Sequence, residues 1–229
     1  MGNSISIAEN IWRVRDVIGE AALSSGRSPG DIALVAASKT KPAEHIRQAI
    51  SAGVDAVGEN RVQEMTEKNA RGAYLGAPLH FIGHLQSNKI SKVVGVCDLI
   101  ESVGSQSLME QIGKKAVSLG IVQNVLIEVN IGREPQKSGV LPERTEEILE
   151  LASRIGGVSV MGFMAIPPLN ETRSNYFDAM FNLFVDMSKK KYDNVSVRIL
   201  SMGMSDSYAE AIKSGANMVR IGSAIFGAR

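Results

Sequence analysis

The sequence is poor in cysteine and has no long apolar run, and each shortage excludes a class of protein. Cys97 is the only cysteine among 229 residues, which excludes an internal disulfide framework or a multi-cysteine metal site and suits a reducing cytosol. No apolar run approaches the ~18 residues that a membrane-spanning helix needs. The N-terminus also lacks the basic-then-apolar order of a signal peptide. These absences predict a cytoplasmic protein without a membrane segment.

The sequence also lacks an excess of charge of either sign. Its 25 Lys and Arg residues face 24 Asp and Glu residues, so the formal net charge is +1. Such a chain has no broad field that would attract nucleic acid or an anionic membrane. Any anion must therefore be held by particular residues. The hydrophobic fraction of 44% is that of a soluble globular protein with a packed core.

The N-terminal residues fit two patterns. Residues 1–6 match the motif for N-myristoylation, but a single acyl chain without a polybasic cluster anchors a protein only weakly. Ser6 and Glu9 have the spacing of a capping box. Apolar residues then recur at helical spacing over residues 7–21. We favour the second interpretation, an amphipathic helix that precedes the rest of the fold.

Short apolar segments alternate with helical patterns along the rest of the chain, which is typical of a parallel sheet. Eight units in about 200 residues fit a closed (β/α)₈ barrel, the TIM barrel, better than an open sheet. No linker interrupts the alternation, so we predict an α/β fold with one domain over residues 1–229. The predicted strands are 32–37, 56–58, 79–82, 99–103, 124–130, 158–164, 195–200 and 218–221.

In such a barrel the chemistry lies where strands end and loops begin. Lys39 directly follows the first strand, where partial burial would favour its neutral, nucleophilic amine. An amine of this kind can form a Schiff base with a carbonyl compound. Lys41 precedes Pro42 at the start of a helix and is expected to be solvated. A purely structural Lys39 at the barrel rim remains an equal alternative.

The second and third strands are followed by polar residues that give weaker signals. Asn60 offers both a donor and an acceptor to a bound ring, while its neighbours Glu59 and Arg61 could pair with each other. His80 and His84 are four residues apart, but His80 begins a predicted strand, so their spacing does not indicate a metal site. We predict no metal.

Two glycine- and serine-containing loops near the C-terminus are typical of an anion site. The first, residues 201–206, follows the seventh strand, and Ser205 is a candidate N-cap for the helix over 208–213. The second, residues 222–227, follows the eighth strand, where barrels often bind phosphate. The alternative is that these glycines only form turns. We favour a phosphate site shared by both loops.

Arg220 lies within the eighth strand, which is otherwise apolar. A buried guanidinium keeps its proton and therefore needs an acceptor. Either a structural ion pair, with Glu101 or Glu128, or a ligand atom would satisfy it. The residue types alone leave both alternatives open.

Six blocks of this sequence, in order, resemble the pyridoxal phosphate homeostasis protein family, a single-domain barrel group whose fold is related to the barrel of alanine racemase. The resemblance runs nearly end to end. The blocks are residues 37–42, 58–64, 80–89, 161–164, 201–205 and 220–227.

The resemblance implies that Lys39 forms a Schiff base with pyridoxal 5′-phosphate (PLP), whose phosphate is held by the two late loops. Asn60 would face the ring, and Arg220 would lie near the pyridine nitrogen. A fixed cation there disfavours the pyridinium form and weakens the ring as an electron sink. Lys137 matches a family lysine that would offer a second amine for exchange. The implied cofactor-binding residues are Lys39, Asn60, Ser201, Met202, Ser205, Arg220, Gly222 and Ser223.

The function implied by the resemblance is to carry or buffer PLP in support of vitamin B6 and amino-acid homeostasis, without catalytic residues of its own. A monomer is expected, with PLP-dependent enzymes as recipients. One alternative is an amino-acid racemase, which needs an acid/base group on each face of its substrate; related racemases take one from a further β-domain, and this chain ends at Arg229. The other is a cofactor-free aldolase that attacks a sugar phosphate through Lys39.

Overall fold

Short, mostly buried strands alternate with helices in the computed structural model, which describes residues 6–168 and 173–227. Each strand pairs in parallel with the next, and β8 returns to pair with β1, so the sheet closes. The predicted (β/α)₈ barrel is therefore confirmed. Its strands are β1 (Ala33–Ala37), β2 (Ala56–Glu59), β3 (Leu79–Phe81), β4 (Leu99–Val103), β5 (Gln123–Val129), β6 (Val158–Ala165), β7 (Val195–Ser201) and β8 (Met218–Ile221).

Helices connect the strands on the outside of the barrel. The β3–β4 connection contains a 3₁₀ helix, Ser87–Lys92, where the other units have α-helices. The α-helices in the described residues are α1 (Ile7–Ser24), α2 (Ala43–Ser51), α3 (Val62–Ala70), α4 (Gln106–Ser118), α5 (Thr145–Ala152), α6 (Arg173–Ser188), α7 (Tyr208–Lys213) and α8 (Ser223–Phe226).

Helix α1 precedes the barrel and packs mainly against α7 and α8. Its N-terminus has the predicted capping box: the Ser6 hydroxyl accepts from Glu9 N at 3.2 Å, and the Glu9 carboxylate accepts from Ser6 N at 2.8 Å. The myristoylation motif starts at residue 1, and residues 1–5 lie outside the described residues. Among the helices of the described residues, none is long and apolar enough to cross a bilayer.

The barrel interior changes from apolar to polar along the strands. Leu99, Leu126 and Met218 belong to a small cluster of buried apolar side chains inside the barrel. Side chains two residues apart in a strand share a face, so Glu101 and Arg220 follow Leu99 and Met218 on the interior side. The N-terminal half of the interior is thus packed core, and the C-terminal half is lined by charged groups beneath the loops.

Candidate functional site

One cavity lies at the carboxyl ends of β1, β7 and β8. Its volume is about 350 Å³, within the range of small-molecule sites. The structure brings five predicted site residues together there, namely Lys39, Ser205, Arg220, Gly222 and Ser223. The lining residues in the described part of the chain are Ala37, Lys39, Thr40, Lys41, Met204, Ser205, Asp206, Arg220, Gly222, Ser223 and Gly227.

Three other predicted site residues do not line this cavity. Ser201 and Met202 are completely buried; Ser201 belongs to a polar network inside the barrel, and Met202 belongs to the main hydrophobic core. Met204, two residues further along the same loop, lines the cavity instead. Asn60 lines a neighbouring cavity of about 550 Å³ at the same end of the barrel.

Ser205 connects the two late loops. Its hydroxyl oxygen accepts hydrogen bonds from Gly222 N and Ala224 N, both at 3.2 Å. The prediction that Ser205 caps the helix over 208–213 is wrong, because the N-cap residue of α7 is Ser207. The Ser205 oxygen instead shows that the β8–α8 loop directs two backbone N–H groups towards an acceptor at the cavity.

Two glycines lie where these loops closely approach neighbouring parts of the chain. Gly203 has φ +96°, and a Cβ built there would lie 2.7 Å from the Ala211 Cβ and 3.0 Å from the Tyr208 Cα. A side chain at this position would therefore push the β7 loop away from α7. At Gly222 an added Cβ would lie 3.3 Å from the Ala37 carbonyl oxygen. Gly203 thus lets the β7 loop pack against α7, and Gly222 lets the β8–α8 loop approach the end of β1.

Lys39 lies in a tight turn directly after β1 and is half-buried. Lys41, two residues later, is half-buried and hydrogen-bonded, whereas the sequence predicted a solvated side chain. Its ammonium group donates to the carbonyl oxygens of Phe226 and Gly227, at 3.2 and 3.4 Å. Lys41 thereby ties the turn to the end of α8. Both lysines line the same cavity, and Lys41 is the one that donates hydrogen bonds to the end of α8.

The sequence left two roles open for Arg220, a structural ion pair and contact with a ligand, and its position suits both. The side chain lines the cavity and is also part of a buried charged network. Its Nη1 donates to Ser201 Oγ at 2.6 Å, and its Nη2 donates to the Ala165 carbonyl oxygen at 3.1 Å. Glu101 lies 3.8 Å away as an ion-pair partner. These contacts fix the guanidinium on the cavity wall.

Glu101 is the acidic centre of this network and is completely buried. It accepts a hydrogen bond from the Ser201 hydroxyl at 2.6 Å, and its other oxygen lies 2.8 Å from His80 Nδ1. Burial is the largest single influence on the pKa of Glu101, and it raises this pKa. The hydrogen bond and charge of His80, the charge of Arg220 and the Ser201 hydroxyl act in the opposite direction. Together they hold the pKa of Glu101 below its usual range. The carboxylate therefore stays ionised beneath the cavity.

The cavity that contains Asn60 is also lined by His84, Glu128 and Lys137. The Asn60 Oδ1 atom is buried and has no hydrogen-bond partner among the described residues. Burial raises the pKa of Glu128, against the lowering effect of its hydrogen bond from Ser138 and of the charges of His84 and Arg220. This second cavity therefore presents acceptor groups beside the first.

Sequence reasoning missed the partners of two predicted residues. Glu59 pairs with Lys68 at 2.7 Å rather than with Arg61, which lies 3.5 Å from Glu64. A carboxylate at the end of an apolar strand indicates that a buried cation lies nearby. Which cation this is depends on how the next helix packs against the strand, and the sequence pattern does not determine that packing. No group of three or more His, Cys, Asp or Glu side chains that could hold a metal occurs among residues 6–168 and 173–227.

Comparison with known proteins places the fold in a family. A family model described as "Alanine racemase, N-terminal domain" matches residues 26–229. The pyridoxal phosphate homeostasis protein of Aquifex aeolicus is 40% identical over 98% of this chain and 99% of its own length. The protein of that name from Escherichia coli K12 is 38% identical, with 97% of both chains covered. This chain belongs to the pyridoxal phosphate homeostasis protein family.

A solved structure supports the same assignment. PipY of Synechococcus elongatus PCC7942, solved with PLP bound, superposes with a TM-score of 0.83 at 30% identity, covering 97% of this chain and all of PipY. The resemblance of the six sequence blocks to this family is thereby confirmed. Family members carry the name of a homeostasis protein rather than that of an enzyme.

Proposed function

We propose that this protein binds pyridoxal 5′-phosphate in the 350 Å³ cavity and carries or buffers the cofactor through a covalent link to Lys39. The observation that carries this proposal is the convergence, in one cavity, of the Lys39 amine, the Arg220 guanidinium and the two late loops. PLP presents an aldehyde for the amine and a phosphate for the loops, so its functional groups match both. The relatives' name and the PLP-bound PipY structure support the choice of ligand.

The residues present fit this cofactor. The hydroxyl of Ser205 occupies an acceptor position opposite two backbone N–H groups of the β8–α8 loop, which is the arrangement that holds phosphate oxygens in barrels. Gly222 and Ser223 line the same wall. In our proposal these residues hold the phosphate, and bound PLP supplies an aldehyde that reacts reversibly with amines. Ser201 and Met202 would act only through the residues they support.

Arg220 is proposed to favour storage over catalysis. Its guanidinium is fixed by Ser201 and Ala165 and balanced by Glu101. A guanidinium cannot give up its proton, so an Arg220 side chain that faces the pyridine nitrogen disfavours protonation there and weakens the ring as an electron sink. We propose that the protein turns over no amino acid of its own. Asn60 would contact the ring from the second cavity.

The decisive test is absorbance spectroscopy of the purified protein with added PLP, followed by borohydride reduction and peptide mass analysis. We expect a yellow protein that loses its visible band on reduction and carries the cofactor's mass on the peptide with Lys39. Lys39→Ala should lose this label, whereas Lys41→Ala, from the same cavity, should retain it. A protein that stays colourless, as a cofactor-free aldolase would, or a label on another lysine, overturns the proposal.

The match to the alanine racemase domain favours one second candidate, a PLP-dependent amino-acid racemase. Such an enzyme needs an acid/base group on each face of its bound substrate. Incubation of the PLP-loaded protein with single L-amino acids and chiral chromatography distinguishes the candidates. We expect no D-isomer above the level of free PLP, and a rate that saturates with substrate would favour the racemase.

We further propose that residues 1–229 act as one PLP-binding domain, that the protein is a cytoplasmic monomer, and that PLP-dependent enzymes receive its cofactor. Borohydride reduction of the PLP-loaded protein in the presence of an apoenzyme would trap any apoenzyme lysine that has taken over the cofactor. Lys137, which lies 2.5 Å from Glu134 in the loop at the second cavity, is the proposed second amine for exchange.

A further inference from the structure

The backbone on both sides of Lys39 is held by α3. On one side, Lys68 Nζ donates to the Ser38 carbonyl oxygen at 3.0 Å. On the other side, Thr40 N donates to Glu64 Oε2 at 2.7 Å. Lys68 also lies 3.5 Å from Glu64. The two peptide groups that flank the reactive lysine are thus bound to side chains one turn apart on one helix.

The turn itself has a conformation that needs such support. Thr40 has φ +65°, in the left-handed region, which β-branched residues rarely adopt. Backbone in a sparsely populated region persists only where surrounding contacts fix it. The carboxylate of Glu64 accepts the Thr40 N–H at this point. Without it, the turn after Lys39 is expected to relax towards a more common conformation.

Glu59 anchors the same helix from inside the fold and is completely buried. One of its oxygens accepts from Lys68 Nζ at 2.7 Å, from Ser38 Oγ at 2.5 Å and from the Tyr74 hydroxyl at 3.1 Å. Burial, with the charge and hydrogen bond of Glu59, raises the pKa of Tyr74, so the phenol stays a donor. Ser38 and Tyr74 therefore fix the carboxylate that holds Lys68 in place.

We infer that Lys68, which is held by Glu59, and Glu64 are positioning residues that direct the Lys39 side chain into the cavity. None of the three lines that cavity, so they act through the Lys39 backbone rather than on a ligand. The inference rests on the proposed function, because Lys39 is the residue proposed to bind the PLP aldehyde. It predicts that breaking these contacts impairs the covalent link while leaving the phosphate-binding loops intact.

The test compares two ligands on Lys68→Met and Glu64→Ala. PLP reports the covalent link, measured as the rate of borohydride-trapped label on Lys39. The analogue 4′-deoxypyridoxine 5′-phosphate has no aldehyde and reports non-covalent binding of the ring and phosphate, measured by calorimetry. We expect both variants to label Lys39 on the order of tenfold more slowly, equivalent to about 1.4 kcal/mol, with analogue affinity unchanged within twofold.

Two controls, Lys68→Arg and Lys114→Met, make the outcome decisive. Lys68→Arg keeps the cation and its donors and should restore most of the labelling rate. Lys114→Met removes an exposed lysine from α4, the helix after β4, and should change nothing. Lys68→Met leaves Glu59 buried without its cation, so it is expected to be the less stable variant. Glu64→Ala keeps the ion pair between Glu59 and Lys68, so it decides the question if Lys68→Met fails to fold.

Equal labelling rates for Glu64→Ala and the unmodified protein, or a parallel loss of analogue binding, would overturn the inference. Failure of the proposed function looks different, because then the unmodified protein itself would carry no label on Lys39.

Discussion

The hydroxyl of Ser201 accepts a hydrogen bond from Arg220 Nη1 at 2.6 Å and donates one to the Glu101 carboxylate at 2.6 Å. All three side chains are at least 96% buried. A single hydroxyl thus joins the guanidinium of the cavity wall to its buried counter-charge. Its removal leaves each of the two buried charged groups without one hydrogen bond.

Ser201→Ala is therefore expected to lower the free energy of unfolding by about 2 kcal/mol, since hydrogen bonds to buried charged groups contribute roughly 1.5–3 kcal/mol. Urea denaturation followed by circular dichroism measures the change. Ser118→Ala is the matched control, because its exposed hydroxyl bonds only to Lys115 O within its own helix. A loss no larger than that of the control would show that the network does not stabilise the barrel.

Glu101→Gln should change how stability depends on pH. The pKa of Glu101 in the folded protein lies below its usual range, so its ionised form stabilises the fold above about pH 4, the unfolded value. This contribution is lost as the pH falls through the lower folded pKa. The variant should be roughly 3 kcal/mol less stable at neutral pH, and the difference should shrink below about pH 4.

Unfolding free energies between about pH 2 and pH 7 measure this effect. Glu20→Gln on exposed α1 surface provides the control for loss of one carboxylate. If the stability difference between Glu101→Gln and the unmodified protein stayed constant over this range, Glu101 would not be the titrating group.

Glu128→Gln should have the opposite pH dependence. Burial raises the pKa of Glu128, so the folded state holds its proton to higher pH than the unfolded state does. Stability contributed by the protonated form is present below about pH 4 and is lost as the pH rises through the folded pKa. The amide does not ionise, so the variant should gain stability relative to the unmodified protein on going from pH 4 to pH 8.

Thermal denaturation at a series of pH values measures the relative stability of Glu128→Gln. The variant keeps an oxygen that can accept from Ser138, which lies 3.0 Å from both carboxylate oxygens. If Glu128→Gln lost stability relative to the unmodified protein as the pH rose, the assigned direction of the pKa shift would be wrong.

The barrel could be predicted from the sequence, and part of the site could not. Alternating apolar segments and helical patterns are local properties, so all eight strands were placed with small errors at their ends. Lys39 and the late loops could be placed because the carboxyl ends of parallel strands meet at one face. Met204 lines the cavity in place of the predicted Met202 because of the turn at Gly203. The φ of +96° at Gly203 ends the alternation of side chains between the two faces that a strand would continue.

The charged networks lie beyond sequence reasoning for a different reason. Lys68 reaches Ser38 across 30 residues, and Ser201 reaches Glu101 across 100 residues. Each residue type signals only that a partner is needed when it is buried. Which group supplies the partner depends on strand register and helix placement, which the sequence pattern does not determine.

Ser205→Ala tests the phosphate loops separately from Lys39. The Ser205 oxygen accepts from Gly222 N and Ala224 N, so its own proton remains to donate to a phosphate oxygen. We expect binding of 4′-deoxypyridoxine 5′-phosphate to weaken about tenfold, the size of one hydrogen bond to a charged group. Calorimetry measures it, with exposed Ser188→Ala as the control. Unchanged or tighter binding would place the phosphate elsewhere.

Gly203→Ala separates steric conflict from backbone strain. An added Cβ would lie 2.7 Å from the Ala211 Cβ, whereas at Gly26, also at positive φ, a Cβ meets nothing within 4 Å. Gly26→Ala should cost only the strain of the left-handed region, about 1 kcal/mol. Gly203→Ala should cost about 3 kcal/mol, because overpacking adds roughly 1–3 kcal/mol to that strain.

Urea denaturation of both variants gives the two costs, and calorimetry gives their binding of 4′-deoxypyridoxine 5′-phosphate. The loop after β7 carries both Gly203 and Ser205, so its displacement should weaken binding of the analogue in Gly203→Ala and not in Gly26→Ala. Equal costs for the two glycines would mean that α7 moves aside easily. In that case the close approach of the loop to Ala211 would not be what holds Ser205 against the β8–α8 loop.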